Sequence, residues 1–325
     1  MLQGASTINP REYTHYARIL SPRGAYPADS IFFDDAAYLS DSELAFSVAK
    51  YTKHTRGGDE DSYSEVQWLN PTETKLYGSL MLAVDRDESY VAFYPYPYTV
   101  PIVCPSTISD KKWLLQSVKT ELSEKLIEED IIHPGYTVPA RNSYKYATDI
   151  AMPPMVGGPE YDFRSNGIDY ELAKNLYKNI SINDSLVIRG LCTLVKAAML
   201  RSHYQFLEEA IYSLFISMEV SFRLVLRELK NRGINNPTSK DAMTFIHDAF
   251  YDIHRVDKYF EEYYEGRVMS FHPESRLGTH PHAPLMADDY SFLFNDMLEV
   301  YTYLICGYVH PKHKEKISGI NERAT

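Results

Sequence analysis

Proline is unevenly distributed along this chain of 325 residues, and its distribution constrains the fold more than any other sequence feature. Of the 18 prolines, 13 lie before Ile180, and so do 17 of the 27 tyrosines. Proline removes a backbone donor and interrupts helices. The first part of the chain is therefore expected to be rich in strands and loops and the second part mostly helical, which predicts an α+β protein.

Four segments of the first part have the composition of strands, namely Glu43–Lys53, Tyr63–Leu69, Lys75–Asp85 and Tyr90–Tyr94. The stretch Tyr94–Tyr98 alternates tyrosine with proline. A residue that precedes proline avoids the helical region of backbone space. This stretch is expected to be extended, as an edge strand, a polyproline-type segment or a packed loop.

Helices are predicted where apolar residues recur at spacings of three and four. The expected helices are Ser109–Ile132, Asp169–Asn179, a helix capped by Asn183 or Asp184 and ending near Arg201, Tyr204–Arg232, Ser239–Tyr251, Asp257–Ser270 and Ala287–Tyr308. Long amphipathic helices with modest connections are typical of a helical bundle. The proline-rich stretch His133–Asn166 is the expected crossing, so we predict a mixed domain over residues 1–168 and an all-α bundle over residues 169–325.

Several classes of protein lose support from the sequence. The three cysteines are far apart, which argues against a disulfide framework or a thiolate zinc site. The first residues do not read as a signal peptide, and no apolar run is long enough to cross a bilayer. Signatures of P-loop, dinucleotide-binding, serine-hydrolase and zincin sites are missing. A cytoplasmic protein without a membrane partner is expected, and no cofactor is predicted.

The net charge of −11 argues against a general nucleic-acid coat. The charge is uneven, however. The first part carries 17 basic and 25 acidic residues, and the second carries 16 and 19. The helical part is therefore nearly balanced, and a local RNA contact there remains compatible with the composition.

One short segment combines residues that suit phosphate chemistry. Arg267 and His272 are separated by four residues, and Pro273 directly follows the histidine. Since proline disfavours a helical residue before it, the helix is expected to end at His272, whose side chain can turn back towards Arg267. An arginine binds phosphate oxygens as a planar fork, and a histidine can move a proton near neutral pH.

This segment resembles the HEPN superfamily, whose members carry an arginine and a histidine four to six residues apart near the end of a helical bundle. The stretch Ser217–Arg223 is similar to the acidic position, here Glu219, that many such domains keep in their second long helix. The resemblance covers roughly residues 184–309. It implies metal-independent RNA cleavage in a homodimer, with Arg267 and His272 of both copies lining one cleft.

The resemblance has one departure, because the family often places a polar residue directly after the arginine, where this chain has Val268. A non-catalytic module that binds nucleotide, RNA or protein therefore remains the alternative. A third reading is that Arg267 only complements the helix dipole and that Pro273 only stops the helix.

Other residues could support the site. Glu219 shares an apolar face with Phe215, Phe222 and Leu226, so it is expected to meet a cation or several hydrogen-bond donors, and Arg267 is one candidate. Arg276 is a possible phosphate contact, and four nearby tyrosines could stack on bases or fill the bundle: Tyr259, Tyr263, Tyr264 and Tyr290.

A weaker alternative is a metal site at His280 and His282, in a loop interrupted by prolines. The leading expectation, which the HEPN resemblance implies, is an endoribonuclease that acts as a toxin or defence effector, with Arg267 and His272 as its catalytic residues. Its N-terminal domain would serve as a sensor, scaffold or surface for a protein partner.

Overall fold

The computed structural model describes residues 15–21, 24–40, 45–50, 69–84, 91–102, 112, 114, 116–118, 162–164, 167–202, 206–250, 260 and 287–309. The chain divides into two compact units. We call the first the strand-rich unit (Met1–Leu76 with Phe93–Gly167) and the second the helical unit (Tyr77–Ala92 with Ile168–Thr325). The chain passes from the strand-rich unit to the helical unit after Gly167, next to the boundary that the sequence predicts after residue 168. The sequence does not predict that residues 77–92 belong to the helical unit.

The strand-rich unit contains a five-stranded antiparallel sheet in the order β3-β4-β5-β1-β6. Its strands are β1 (His15–Leu20), β3 (Ile31–Phe32), β4 (Ala36–Ser40), β5 (Ala45–Lys50) and β6 (Pro95–Ile102). A separate parallel pair joins β2 (Ala25–Pro27) to β7 (Asp162–Arg164). Strand β5 lies inside the predicted Glu43–Lys53. The edge-strand interpretation of the tyrosine–proline stretch is confirmed at Pro95 and beyond, because β1 is the one described strand with which β6 pairs.

The two faces of this sheet are covered differently. One face forms an apolar cluster with Leu114 and Val118, which lie in the helix predicted at Ser109–Ile132 and are fully buried. The other face carries Arg18, whose guanidinium makes two hydrogen bonds to the carboxylate of Glu73, at 2.6 and 3.0 Å. Both side chains are almost completely buried, so this face holds an ion pair instead of a purely apolar contact.

The strand predicted at Lys75–Asp85 is wrong, because these residues belong mostly to helix α1 (Pro71–Leu82). Asn70 and Glu73 form reciprocal hydrogen bonds between side chain and backbone at the start of the helix, at 2.9 and 3.0 Å. Such a capping box satisfies two helix-end donors, and Pro71 suits the first helical position. The strand predicted at Tyr90–Tyr94 is also not formed in residues 91–94, and residues 63–68 lie outside the described part of the chain.

The described helices of the helical unit follow the sequence expectation closely. They are α2 (Tyr170–Asn179), α3 (Ser185–Arg201), α4 (Leu207–Asn231), α5 (Ser239–Ala249) and α6 (Ala287–Cys306). The carboxylates of Asp169 and Asp184 accept backbone N–H groups at the starts of α2 and α3. Gly233, with φ of 94°, follows the end of α4 in the left-handed conformation that glycine tolerates. The α+β class is therefore confirmed.

Helices α3 and α4 pack side by side in opposite directions. Asp184 at the start of α3 pairs with Arg227 near the end of α4, at 2.6 Å between carboxylate and guanidinium. Further along, the Ser217 hydroxyl donates to the carbonyl of Gly190 at 3.0 Å. Residue numbers rise along one helix as they fall along the other, which is the pattern of an antiparallel pair.

Helix α6 runs parallel to α4. The hydroxyl of Tyr301 donates to the carbonyl of Ser217 at 2.8 Å, and Leu304 lies one turn further on, in the same pocket wall as Leu224. From Asp296 to Thr302 every residue of α6 is buried, so this segment is enclosed on all sides. None of the helices in the described ranges is long and apolar enough to cross a membrane.

Candidate functional site

Most of the predicted site residues lie outside the residues that the structure describes. These are Arg267, His272, Arg276, His280 and His282, together with Tyr259, Tyr263 and Tyr264. Their roles therefore stay predictions. Glu219 and Tyr290 are described, and so are helices α5 and α6, which precede and follow the undescribed residues in the chain.

Glu219 lies at the border of the apolar face of α4. Its side chain is 37% exposed, and its carboxylate accepts a hydrogen bond from the Nε of Arg223 at 3.3 Å. Phe215 on the same side is fully buried, whereas Phe222 is half-buried. The carboxylate thus meets a cation, as the sequence predicted, and this cation is one turn along the same helix.

Phe222 makes the contact that links α4 to the segment of the predicted catalytic residues. Its ring packs edge-to-face on Phe260, with 5.2 Å between the ring centroids and an interplanar angle of 78°. Phe260 is helical and lies within the predicted helix Asp257–Ser270. Since Phe222 is three residues after Glu219, the two side chains lie on one side of α4. The predicted helix therefore touches α4 next to Glu219.

A buried polar contact fixes the positions of α3, α4 and α6 along one another. Ser217 donates to Gly190 O at 3.0 Å and to the hydroxyl of Tyr301 at 3.1 Å, and Tyr301 donates to Ser217 O. Burial raises the pKa of the Tyr301 hydroxyl far above its ordinary value, while the Ser217 hydrogen bond opposes the shift. Tyr301 therefore remains protonated at neutral pH and acts as a structural donor.

Two carboxylates that the sequence analysis did not single out are buried in α6. Asp296 is 6% exposed and Glu299 is 8% exposed. Three residues apart on a helix, they lie next to each other on one face. A buried carboxylate is costly unless it meets cations or several donors. The available signal was the presence of two acids in the stretch Asp296–Thr302, whose other residues are mostly apolar.

The same face of α6 continues to Tyr303, which is seven residues after Asp296 and four after Glu299. The ring of Tyr303 packs on two phenylalanines of the preceding segment, Phe245 at 5.9 Å and Phe250 at 5.4 Å between ring centroids. Helix α5 and the residue that follows it therefore cover the carboxylate-bearing face of α6 at its C-terminal end.

Tyr290 fills the helical core. It is 2% exposed, its ring stacks on Phe294 with 5.6 Å between centroids, and the guanidinium of Arg201 lies 5.6 Å from its ring centre. A side chain so enclosed has no free face for a nucleic-acid base. The structure therefore favours packing inside the bundle over base stacking as the role of Tyr290.

A separate pocket lies between the α2–α3 connection and the C-terminal halves of α4 and α6, and it encloses about 180 Å³. Its wall includes the ion pair of Asp184 and Arg227, which is bidentate at 3.1 and 2.6 Å. Glu219, the predicted supporting residue that the structure describes, is not among the described residues that line this pocket. The ion pair satisfies Arg227 and caps α3, so a structural role accounts for it.

The strand-rich unit holds a second group of charged residues, at one end of its sheet. His15 on β1 is the strand partner of Lys50 on β5, and the Lys50 N–H donates to the carbonyl of Asp35 at 2.8 Å. Burial, and then Lys50, lower the pKa of His15, and Asp35 opposes this shift. Within the described ranges, no cluster of three or more His, Cys, Asp or Glu side chains could hold a metal ion.

The described geometry therefore consists of Glu219 and Phe222 on one side of α4, and of the buried carboxylates Asp296 and Glu299 on α6. The chain between α5 and α6, which carries the arginine–histidine segment, contacts this side through Phe260. Comparison with known proteins found no matching family model, curated protein or solved structure.

Proposed function

We propose that this chain is a metal-independent endoribonuclease of HEPN-like type, with Arg267 and His272 as its catalytic residues. The observation that carries the proposal is the edge-to-face contact between Phe222 and Phe260. Phe260 falls within the predicted helix that carries Arg267, and its ring contact lies one turn from the half-buried Glu219 on α4, the acidic position of the resemblance. The near balance of charge in the second part of the chain is compatible with an RNA substrate.

The chemistry uses a nucleophile that RNA supplies. The 2′-hydroxyl attacks the adjacent phosphate, and the bond to the 5′-oxygen breaks. His272 would take the proton from the 2′-hydroxyl or protonate the leaving oxygen. Arg267 would bind the phosphate oxygens and stabilise the charge that develops on them. Two such pairs in a homodimer would separate the roles of base and acid between the copies.

The remaining expectations belong to the same proposal. The helical unit would form the bundle and the dimer interface, and the strand-rich unit would bind a protein partner or sense a trigger. The protein would act in the cytoplasm as a toxin or defence effector. Arg276 would contribute a further phosphate contact.

The test is cleavage of RNA in the presence of EDTA by the full chain and by Arg267→Ala and His272→Ala. The proposal expects cleavage that persists in EDTA and is lost in both variants. A charge-matched control is Arg189→Ala, which removes an exposed arginine of α3. Cleavage by the His272 variant at the rate of the parent would contradict the assignment. Loss of cleavage with EDTA alone would instead support a metal site at His280 and His282.

A second candidate is a non-catalytic module that binds nucleotide, RNA or protein. Val268 favours it, because a polar residue often follows the arginine in the catalytic members of the family. This alternative expects RNA binding without cleavage. A binding measurement with uncleaved RNA, made on the same three variants, separates it from the enzyme.

A further inference from the structure

We propose that the pocket between the α2–α3 connection and the C-terminal halves of α4 and α6 binds a free α-amino acid with a branched aliphatic side chain. The carboxylate of this ligand would bind Arg227, its ammonium group would bind Glu228 and Asn179, and its side chain would contact the apolar floor of the pocket. These residues are distinct from those proposed for RNA cleavage, so the proposal goes beyond that function and is tested without RNA.

The first step is the size of the pocket, which encloses about 180 Å³. Sites for drug-sized ligands measure roughly 300–1,000 Å³. The space therefore suits a molecule about as large as a single amino acid. A nucleotide or a longer peptide is too large to be enclosed in it.

The second step is the apolar floor of the pocket. Ile180, Val187 and Leu224 line it and are almost completely buried, and Leu304 and Ile305 at the end of α6 are half-buried. All five side chains are aliphatic, and the described lining residues include no aromatic ring on which a nucleic-acid base could stack. A branched aliphatic side chain would bury its apolar surface against this floor.

The third step is the group that would bind the carboxylate of the ligand. Arg227 lines the pocket, and its pair with Asp184 uses Nη1 and Nη2, which form one edge of the guanidinium. A guanidinium has five N–H donors in a planar fork, and the donor on Nε lies on a different edge. This second edge can bind another carboxylate while the pair with Asp184 remains intact.

The fourth step is the set of acceptors for the ammonium group. Glu228 lines the pocket, and its Oε1 accepts from the Nε of Arg232 at 2.9 Å, which leaves Oε2 as an acceptor. The side-chain nitrogen of Asn179 donates to the backbone and side-chain oxygens of Asn175, at 2.8 and 2.9 Å. The Oδ1 of Asn179 points the other way from this nitrogen and is a second acceptor. An ammonium group has three N–H donors to give to such oxygens.

The fifth step is the balance of charge, which selects a ligand that carries both signs. Burial raises the pKa of the Asp184 carboxyl, but hydrogen bonds from Arg227 and two backbone N–H groups lower it below its ordinary value, so Asp184 is charged at neutral pH. An anion without an ammonium group would meet the carboxylates of Asp184 and Glu228. A cation without a carboxylate would meet Arg227. A zwitterion pairs each of its charges with an opposite one.

Calorimetric titration of the full chain with L-leucine and three analogues tests the proposal without any substitution in the protein. Leucinamide lacks the carboxylate, N-acetyl-L-leucine lacks the ammonium group, and L-alanine lacks the branched side chain. We expect L-leucine to bind saturably and each analogue to bind about tenfold more weakly or worse, because each loses a charge-assisted contact or an apolar one. Absence of saturable binding of L-leucine, or equal affinity for either blocked analogue, would overturn the proposal.

A pair of carboxamide variants assigns the ammonium contact. Glu228→Gln keeps the shape of the side chain and removes its charge, so it should weaken the binding of L-leucine about tenfold. The matched control is Glu171→Gln on α2, where the side chain is 84% exposed and does not line the pocket. This control should bind L-leucine as the parent does. Equal affinity of the two variants would contradict the role of Glu228.

Methyl NMR of the full chain then locates the bound ligand. The methyl resonances of Val187, Leu224 and Ile305 should shift as L-leucine is added, because these side chains form the floor of the pocket. Leu214 is the control, since it is buried in α4 and is not among the described lining residues. Shifts at Leu214 with none at the three floor residues would place the ligand elsewhere and refute the proposed site.

Discussion

The hydroxyl of Tyr301 occupies the space that a Cβ atom on residue 190 would need. The ring carbon that bears this hydroxyl would lie only 2.8 Å from such a Cβ. Helices α3 and α6 can therefore approach this closely only because residue 190 is glycine. The hydrogen bonds between Tyr301 and Ser217 also fix the position of α6, with its buried carboxylates, along α4.

Gly190→Ala should destabilise the helical unit by about 1–3 kcal/mol, the usual cost of adding a methyl group to a packed core. Tyr301→Phe removes the overlapping oxygen and relieves part of the clash. The cost of Gly190→Ala should therefore be smaller in the Tyr301→Phe background, as measured by urea unfolding. Equal costs in both backgrounds would show that the helices move apart without strain.

Arg18→Met should destabilise the strand-rich unit by about 3–5 kcal/mol, because it leaves the carboxylate of Glu73 buried without its cation. The matched control is Arg223→Met, since Arg223 pairs with Glu219 at the surface and its side chain is 65% exposed. An exposed pair of this kind contributes about 1 kcal/mol or less. Comparable losses in the two variants, by urea unfolding, would refute a special role for the buried pair.

Stability should fall as the pH is lowered through the range in which His15 titrates. Burial and then Lys50 hold the pKa of His15 below its ordinary value in the folded state. The unfolded chain therefore binds this proton more readily, and the contribution of His15 is complete above about pH 6.5 and is lost below it. His15→Gln should lose less stability than the parent between about pH 7 and pH 5, as measured by urea unfolding. A His15→Gln variant whose stability falls over this range as steeply as that of the parent would contradict the assignment to His15.

Phe222→Ala should reduce RNA cleavage about tenfold or more while leaving the chain folded, because the helix of Arg267 loses its ring contact with α4. Phe206→Ala, at a position that is 40% exposed, is the matched control and should retain activity. The measurement is kcat/KM on a single RNA, with circular dichroism as the folding check. A folded Phe222→Ala variant with full activity would remove the main support for the proposed function.

Local signals made the helical unit predictable from sequence. Asp169 and Asp184 carry side chains that cap the next helix, and Gly233 ends α4 through its backbone freedom. These effects depend on a few neighbouring residues, so they are visible without the fold. The antiparallel sheet was only partly predicted, because its strands are short and because β1 pairs with β5 and β6, which lie far along the sequence.

Helix α1 shows why the remaining structure was missed. Eleven of its twelve residues are buried, so it has no amphipathic period to distinguish it from a strand. The local sequence signal for this helix is the capping box that Asn70 and Glu73 form at its start. The partner of Glu73 is Arg18, 55 residues away, which no local pattern reveals. Asp296 and Glu299 escaped notice for the same reason, since their burial depends on the surrounding helices.

Strand β6 is one edge of the five-stranded sheet and carries three prolines. Pro95, Pro97 and Pro101 lie in this edge strand, and Pro101 is opposite Tyr16 of β1. The register of β6 against β1 shifts between Thr99 and Pro95. A proline has no N–H to give to a ladder, so each of the three removes one donor from this edge. Fewer backbone hydrogen bonds are therefore available to an added strand here, which disfavours growth of the sheet at this edge.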